Sequence, residues 1–577
     1  MRVIATAGHV DHGKSSLVEA LTGINPDRLE EERSRGMTID LGFAHTILPS
    51  GAGISFIDVP GHVRFLRNML AGVGGVDACM FVVDAGEGWK PQSEEHLRIL
   101  QLIGIEHGIV VLTKTDLVDD EWRALQELDL RDRLAGSFLA EAPIVPASAT
   151  TGRGLGEVRA ALDDLVDRTS AALDRGRPRL WVDRSFAAKG SGTIVTGTLT
   201  GGSLHTDQQV HVAGRAVRIR VVQSHSQSRA SIGPGNRVAL NLVGIDHADL
   251  QRGDAVVLAE QWRPTARFDA SLHVLPTLRH EVSRRGAYLA YIGSGEFPAK
   301  VRVLGHDAIQ PGDSGLVRLH LASPVPLTPG DRFVLRESGR DETVGGGEVL
   351  DVSPVLPASK ARPDRSVERV IAERGWVTAD DLEALTGEHR QPTVGDGIVS
   401  QEWLHGTQAA IKGLIEAAGD LGLDLAALDD RQRVVVTTLD GVTIEAGRAR
   451  LAGISDGLVE HPFLAALLTG GVTPPAPDGV DKVELRELLR RKLVIERDGV
   501  YFHPATIDAV AGAAADLLRK HPAGFTVAQL RDELGVSRKY ALPLVNELDA
   551  RGITRRRGDL RLAGPLLHYA DEGKAPA

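Results

Sequence analysis

Short apolar runs alternate with helix-spaced apolar positions through the first third of the chain. Residues 3–6 form an apolar run that predicts a strand, and Leu17, Val18 and Leu21 then recur at helical spacing. Further runs at 54–57, 78–83, 110–112 and 144–145 predict more strands, and 155–168 predicts a closing helix. Strands alternating with helices imply a mostly parallel sheet covered on both faces, an α/β domain over residues 1–172. After a polar linker at 174–178 the period changes. Residues 215–222 alternate, and glycine turns recur at Gly190, Gly201, Gly202 and Gly233. Residues 179–263 therefore read as a small β-barrel, and 266–356 as a second β-rich segment.

From 363 to 577 helices are separated by short strands. The clearest unit is the last, about 507–565. It has a helix at 507–519, a second at 526–534, a third at 537–551 with Ser537 as N-cap, and a hairpin turning at Gly558 and Asp559. Helix, helix-turn-helix and hairpin make a winged-helix module. Residues 483–502 show a similar helix-then-wing ending. An earlier copy begins near Ser366 with its second helix at 377–385, and 406–452 is the weakest stretch. Three or four winged-helix repeats are expected, giving a multidomain chain: α/β domain, two β-barrels, C-terminal α+β winged helices.

Size and composition fit this division. A chain of 577 residues exceeds one core, and 42% hydrophobic with 25% charged residues is ordinary for a soluble globular protein. There is no 18-residue apolar run and no signal-peptide pattern, so a cytoplasmic protein with no membrane partner is expected. The single cysteine, Cys79, lies in an apolar strand and reads as a packed thiol. A net charge of −11 argues against nucleic-acid binding by the whole surface and leaves room for a local basic patch.

Chemistry concentrates in five segments. Gly8 to Ser15 reads GHVDHGKS, a phosphate loop between the first strand and helix. Backbone amides of Gly8, His9, Val10, Asp11, His12 and Gly13 would close around a diphosphate, with Lys14 on the β- and γ-phosphates and Ser15 and Ser16 opening the helix. The Ser15 hydroxyl would ligate Mg²⁺. Asp58 to His62 reads DVPGH: Asp58 suits the Mg²⁺ shell, Gly61 senses a γ-phosphate, and His62 is placed to orient the attacking water as the catalytic residue. Thr38 lies at switch-loop spacing and would also ligate Mg²⁺. The charged run 27–35 before it suits a segment ordered by nucleotide. Thr113, Lys114, Thr115 and Asp116 end a buried strand, where Asp116 accepts two bonds from a guanine edge. Ser148 and Ala149 suit the last base-contacting loop. GTP with Mg²⁺ is the ligand these segments predict.

The phrases ATAGHVDHGKSSL, DRLEEERSRGMTIDLGFA, FIDVPGHVRFLRNMLAGVGGVDA and LTKTDLVD resemble the GTP-binding domain of translation factors of the elongation factor Tu type. Within that class the chain is similar to the selenocysteine-specific elongation factors. Thr113 replaces the usual asparagine of the Asn-Lys-x-Asp motif, a departure the resemblance shares. KGSGTIVTGTLTGG and RFVLRESGRDETVGGGEVLD resemble the family's second and third domains. The resemblance implies an aminoacyl pocket lined by Asp183, Arg184 and Arg237. A selenol is an anion at neutral pH, so a cationic pocket separates it from serine or cysteine.

Charge singles out the final module. Between Arg519 and Arg561 ten Lys/Arg face five Asp/Glu, a net +5 in an acidic chain. Arg538, Lys539 and Tyr540 open the recognition helix, and Arg555, Arg556 and Arg557 lie on the wing. Cations with a stacking aromatic are the signature of RNA contact, against the alternative of a merely solvated basic face. SRKYALPLVNELDARGITRRRGD resembles the family's end, which binds a hairpin, the SECIS element, in selenoprotein messenger RNA. The resemblance implies a GTPase, monomeric, that carries selenocysteinyl-tRNA to the ribosome at recoded UGA codons. Another aminoacyl-tRNA-carrying translational GTPase and an RNA-binding GTP switch are the alternatives.

Overall fold

The computed structural model describes residues 1–27, 32, 38–61, 68–70, 75–188, 192–453 and 457–567. The chain forms two compact units, Met1–Ile398 and Val399–Ala577.

The first unit begins with a six-stranded sheet ordered Gly42–Ile47, Gly53–Asp58, Arg2–Ala7, Ala78–Asp84, Gly108–Thr113, Ile144–Pro146. Five strands run parallel, and Gly42–Ile47 pairs antiparallel at the edge. Side chains alternate between the faces. Val3, Ala5 and Ala7 join Leu97 and Leu130 from the helices Pro91–Leu102 and Asp120–Leu134. Ile4 joins Leu17 and Leu162 from Lys14–Thr22 and Leu155–Arg168 on the other face. Double coverage is why these strands read as continuous apolar runs.

Six strands then close a ring, in the order Gln209–Val212, Ala255–Val257, Arg179–Trp181, Gly192–Thr200, Asn236–Val243 and Arg215–Ser224. Inward residues such as Val217, Ile219 and Val222 fill it while Arg218 and Arg220 face water. A second closed barrel runs Thr265–Val274, Ser314–Val325, Gly295–Val303, Tyr288–Ile292, Arg332–Glu337, Glu342–Asp351.

The helix Val367–Arg374, capped by Ser366, and the helix Ala379–Thr386 pack on this barrel. Val367, Val370, Ile371 and Leu382 share one core with Phe268 and Phe333, and Arg369 bonds Asp351 at 2.9 Å. The sequence pattern grouped these helices with the C-terminal region. The compact-unit boundary instead falls after Ile398, because their apolar face is spent on the barrel.

In the second unit, Gln401–Ala418 and Asp430–Val436 accompany a three-stranded sheet of Leu423–Asp424, Arg448–Leu451 and Val442–Glu445. The weakly patterned stretch thus carries a helix-and-wing arrangement. Pro462–Gly470 and Lys482–Arg490 precede the hairpin of Ile495–Arg497 and Val500–Phe502. The last module has helices Pro504–Lys520, Val527–Leu534 and Arg538–Ala550, and a wing of Thr554–Arg557 and Leu560–Ala563. Ile507, Leu517, Phe525, Leu530 and Leu544 form its core. Glu547, buried, accepts from Arg497 at 2.6 and 2.9 Å and from Arg551 at 2.9 Å, tying the module to the preceding hairpin. Ser537 stands at the N-cap of the third helix, but its side chain makes no capping bond.

Candidate functional site

The first strand ends in a turn that only glycine permits. Gly8 has φ +130°, and a Cβ there would lie 2.1 Å from the Val82 carbonyl oxygen. Two amides of the loop are held from the helix Pro91–Leu102: Gly8 N–H donates to His96 Nδ1 at 3.1 Å, and Val10 N–H to Gln92 Oε1 at 3.2 Å. Burial lowers the His96 ring to a pKa of about 3, with the positive charge of Lys14 adding to the effect. It is therefore a neutral acceptor. The helix Lys14–Thr22 starts at Gly13 with no side-chain cap, which leaves its first amides for an anion. The Lys14 ammonium donates to the carbonyls of Gly8 and His9 at 3.1 and 2.7 Å. Burial lowers it to about 8 against the pull of Asp58, Asp11 and Asp27. Phosphate oxygens would supply the missing counter-charge. A cavity of about 530 Å³ opens here, lined by Val10, Asp11, Gly13, Lys14, Ser15, Ser16, Thr38, Gly61 and Lys114 among others. His9 and His12 are not in this lining.

At one end of the cavity hard oxygens converge. Ser15 Oγ donates to Asp58 Oδ2 at 2.6 Å and lies 2.8 Å from Thr38 Oγ1, which donates to Asp27 Oδ1 at 2.9 Å. Asp58 is fully buried. Desolvation raises its pKa, and bonds from Ser15 and Thr6 with the Lys14 charge only partly offset this. Hydroxyls and carboxylates without a soft donor fit Mg²⁺. Glu32, which sequence reasoning did not single out, accepts from the amides of Ile39 and Asp40, both at 3.0 Å. Gly61 presses on the phosphate loop: a Cβ would meet Lys14 Nζ at 2.5 Å and Val10 N at 2.6 Å. His62 lies outside the described residues.

At the other end stands the loop expected to hold the base. Thr113 is buried, and its hydroxyl reaches the His12 carbonyl at 2.7 Å and the Val83 carbonyl at 3.1 Å. The residue that replaces asparagine thus bonds the phosphate loop itself. Lys114 adopts a left-handed conformation with φ 55° and pairs with Asp84 at 2.8 Å. Thr115 donates from its amide and hydroxyl to the Ala147 carbonyl at 3.3 and 3.1 Å, which sets the loop beside Ser148 and Ala149. Asp116 is exposed, Ala149 half-buried, and Ser148 buried, its hydroxyl accepting from Thr151 N–H at 3.1 Å.

The barrel residues Asp183, Arg184 and Arg237 come together against the segment after Thr38. Arg237 forms a two-pronged bond with Asp183 at 2.6 and 2.9 Å, and its guanidinium lies 3.4 Å from the Phe43 ring centroid. Arg184 bonds Asp40 at 3.0 Å and the Leu41 carbonyl. Arg252, absent from the sequence expectation, bonds Asp40 and the Asp183 carbonyl at 3.0 and 3.1 Å, and Asn68 at 2.7 Å. Burial opposes ionisation of Asp40, but Arg184, the Leu41 amide and Arg252 outweigh it and hold the carboxyl below its usual range. Phe186, Thr196 and Gln223 line an adjoining cavity of about 470 Å³ that reaches Arg237 and Phe43. No motif marks Arg252; the signal available was only the cluster of acidic and basic residues around Asp40.

In the last module Arg538 and Lys539 are exposed at the start of the third helix, with Lys539 Nζ 5.3 Å over the half-buried Tyr540 ring. Arg555, Arg556 and Arg557 are exposed on the wing strand. Other cations of this region are engaged: Arg561 with Asp549, Arg551 with Glu547, Lys520 with Glu533, Arg531 with Asp532. Among the described residues Arg538, Lys539, Arg555, Arg556 and Arg557 make no ion pair, which leaves them for phosphates.

Residues 1–168 match the family described as elongation factor Tu GTP binding domain. With two barrels following the nucleotide sheet, the protein is a translational GTPase. Residues 271–355 match the selenocysteine-specific elongation factor beta-barrel domain, and 516–563 the elongation factor SelB winged helix. The selenocysteine-specific elongation factor of Escherichia coli (strain K12) is 31% identical across 99% of this chain and 100% of its own length. That of Desulfomicrobium baculatum is 40% identical over 60% of this chain and 55% of its own. A crystal structure of a bacterial selenocysteine-specific elongation factor EF-Sec aligns with TM-score 0.74 at 26% identity, covering 97% of this chain and 99% of that one. The chain belongs to the selenocysteine-specific elongation factor family.

Proposed function

We propose that the protein binds GTP and Mg²⁺ and carries selenocysteinyl-tRNA to the ribosome at recoded UGA codons, held there by an mRNA hairpin on its last winged-helix module. The observation that carries this reading is the junction between barrel and nucleotide domain. Arg184 bonds Asp40 and the Leu41 carbonyl, and Arg237, held by Asp183, stacks on Phe43, immediately after Thr38. A switch segment that follows the γ-phosphate therefore also holds Arg184 and Arg237, whose carboxylate partners Asp40 and Asp183 must give way for them to receive a selenolate.

In the nucleotide site the loop amides other than those of Gly8 and Val10, which donate to His96 and Gln92, bind and orient the phosphates together with the Lys14 ammonium. Ser15, Thr38 and Asp58 would hold Mg²⁺, which supplies charge neutralisation on the β- and γ-phosphate oxygens. Lys114 and Asp116 recognise guanine, with Ser148 and Ala149 completing the base loop. His62 orients the attacking water once the ribosome brings it into place, and loss of the γ-phosphate releases the segment around Thr38. The exposed set Arg538, Lys539, Arg555, Arg556 and Arg557 grips hairpin phosphates, and Tyr540 stacks an unpaired base.

The test is protection of the aminoacyl ester, with GTP present, for selenocysteinyl-tRNA against seryl-tRNA on the same tRNA body. Selective protection of the selenocysteine ester is expected. Equal protection would leave a general tRNA carrier, and no protection an RNA-binding switch.

A further inference from the structure

We propose that His9, His12 and Glu87 form a site for one borderline divalent cation of the Zn²⁺ class, separate from the oxygen cluster at Ser15. The donor atoms of the three side chains all lie within 4.8 Å of one another. Tetrahedral zinc with bonds of about 2.0–2.1 Å spaces its ligands roughly 3.3 Å apart. His9 is half-buried and Glu87 exposed, so rotation of those two side chains closes the gap. His12 is the fixed point. It is 0% exposed, and neither ring nitrogen makes a well-formed hydrogen bond, the Val82 backbone acting on the ring only weakly. A buried imidazole without a partner is costly, and ligation on one nitrogen with a backbone carbonyl behind the other is how metal-bound histidines are held.

Both rings are presented as neutral ligands, because burial lowers each below its ordinary value, His12 to about 4. Neither lines the nucleotide cavity, so the site needs no phosphate contact. Two imidazoles and one carboxylate leave a fourth position for water and select Zn²⁺, Co²⁺ or Ni²⁺ over Mg²⁺. Glu87 and Asp84 favour a cation here and Lys14 and Lys90 oppose it; Lys90 now pairs with Glu87 at 3.2 Å and would be displaced. The bound cation would tie residues 9–12 of the phosphate loop to the turn after Ala78–Asp84.

The experiment is titration of the full-length, nucleotide-free and Mg²⁺-free protein with Co²⁺, followed by visible absorption. One equivalent with the intense bands of a four-coordinate site, displaced by Zn²⁺, is expected. His9→Gln and Glu87→Gln should each weaken Co²⁺ by about tenfold or more, with unchanged far-UV circular dichroism. These two do not rely on His12→Asn, whose packing role is greater. Absence of the four-coordinate bands, or equal Co²⁺ affinity in the parent and both variants, overturns the proposal and assigns any binding to other histidines.

Discussion

Thr113→Val removes one hydroxyl from a buried position without changing its shape. Thr113 is 2% exposed, and its hydroxyl spans the His12 carbonyl at 2.7 Å and the Val83 carbonyl at 3.1 Å. Its proton serves one of these at a time, and the shorter contact is the one to the phosphate loop. Valine leaves the His12 carbonyl facing a methyl group, a cost of about 1–2 kcal/mol for a buried acceptor stripped of its donor. His12 precedes Gly13 and Lys14, so the cost falls on the loop conformation that binds nucleotide. The GDP dissociation constant should rise by about 5–30-fold. The change should appear in the dissociation rate measured by stopped-flow with a fluorescent GDP, and Thr113→Ser should restore parent behaviour. Equal dissociation rates for the parent, valine and serine proteins would refute the role given to this hydroxyl.

His62→Ala should retain GTP binding and lose ribosome-stimulated hydrolysis; undiminished turnover on ribosomes would remove the water-orienting role. The folded pKa of His96, about 3, lies below the ordinary value of 6.5, so the unfolded chain takes the proton first as pH falls. Stability is full above pH 6.5 and is lost as pH drops from there towards 3, at about 1.4 kcal/mol per pH unit for this ring. His96→Asn, which keeps an acceptor for Gly8, should remove that share of the slope in urea unfolding of the nucleotide domain between pH 4.5 and 6.5 (roughly one bound proton), and an unchanged slope would contradict it. Lys539→Ala and Arg556→Ala should each weaken binding of the mRNA hairpin and lower the log–log salt slope by about one. A parent-like slope would mean that these exposed cations do not meet phosphate.

What was legible in the sequence was whatever contiguous residues decide. The turn at Gly8, the helix start at Gly13 to Ser15, the strand end at Asp58 and the alternation of 215–222 follow from backbone sterics and local periodicity, which neighbouring residues set by themselves. The division into α/β domain, barrels and winged helices came from the same local periods. Contacts between distant residues have no such period. Arg252 reaches Asp40 across 212 positions, Arg184 across 144, and His96 meets Gly8 across 88. Each depends on how barrels and helices stack, which no single segment encodes. The helices after Ser366 read as part of the C-terminal repeats, yet their apolar face is buried on the second barrel, because an amphipathic stripe specifies that it must be covered and not by what. Among the basic residues of the last module, composition supplied a net charge, while only packing separated Arg551 and Arg561, spent on the carboxylates of Glu547 and Asp549, from Arg538, Lys539 and Arg555 to Arg557. The sequence alone determined which chemistry the chain carries; tertiary structure decided which charges are free to use it, since neutralisation depends on distance in space rather than along the chain.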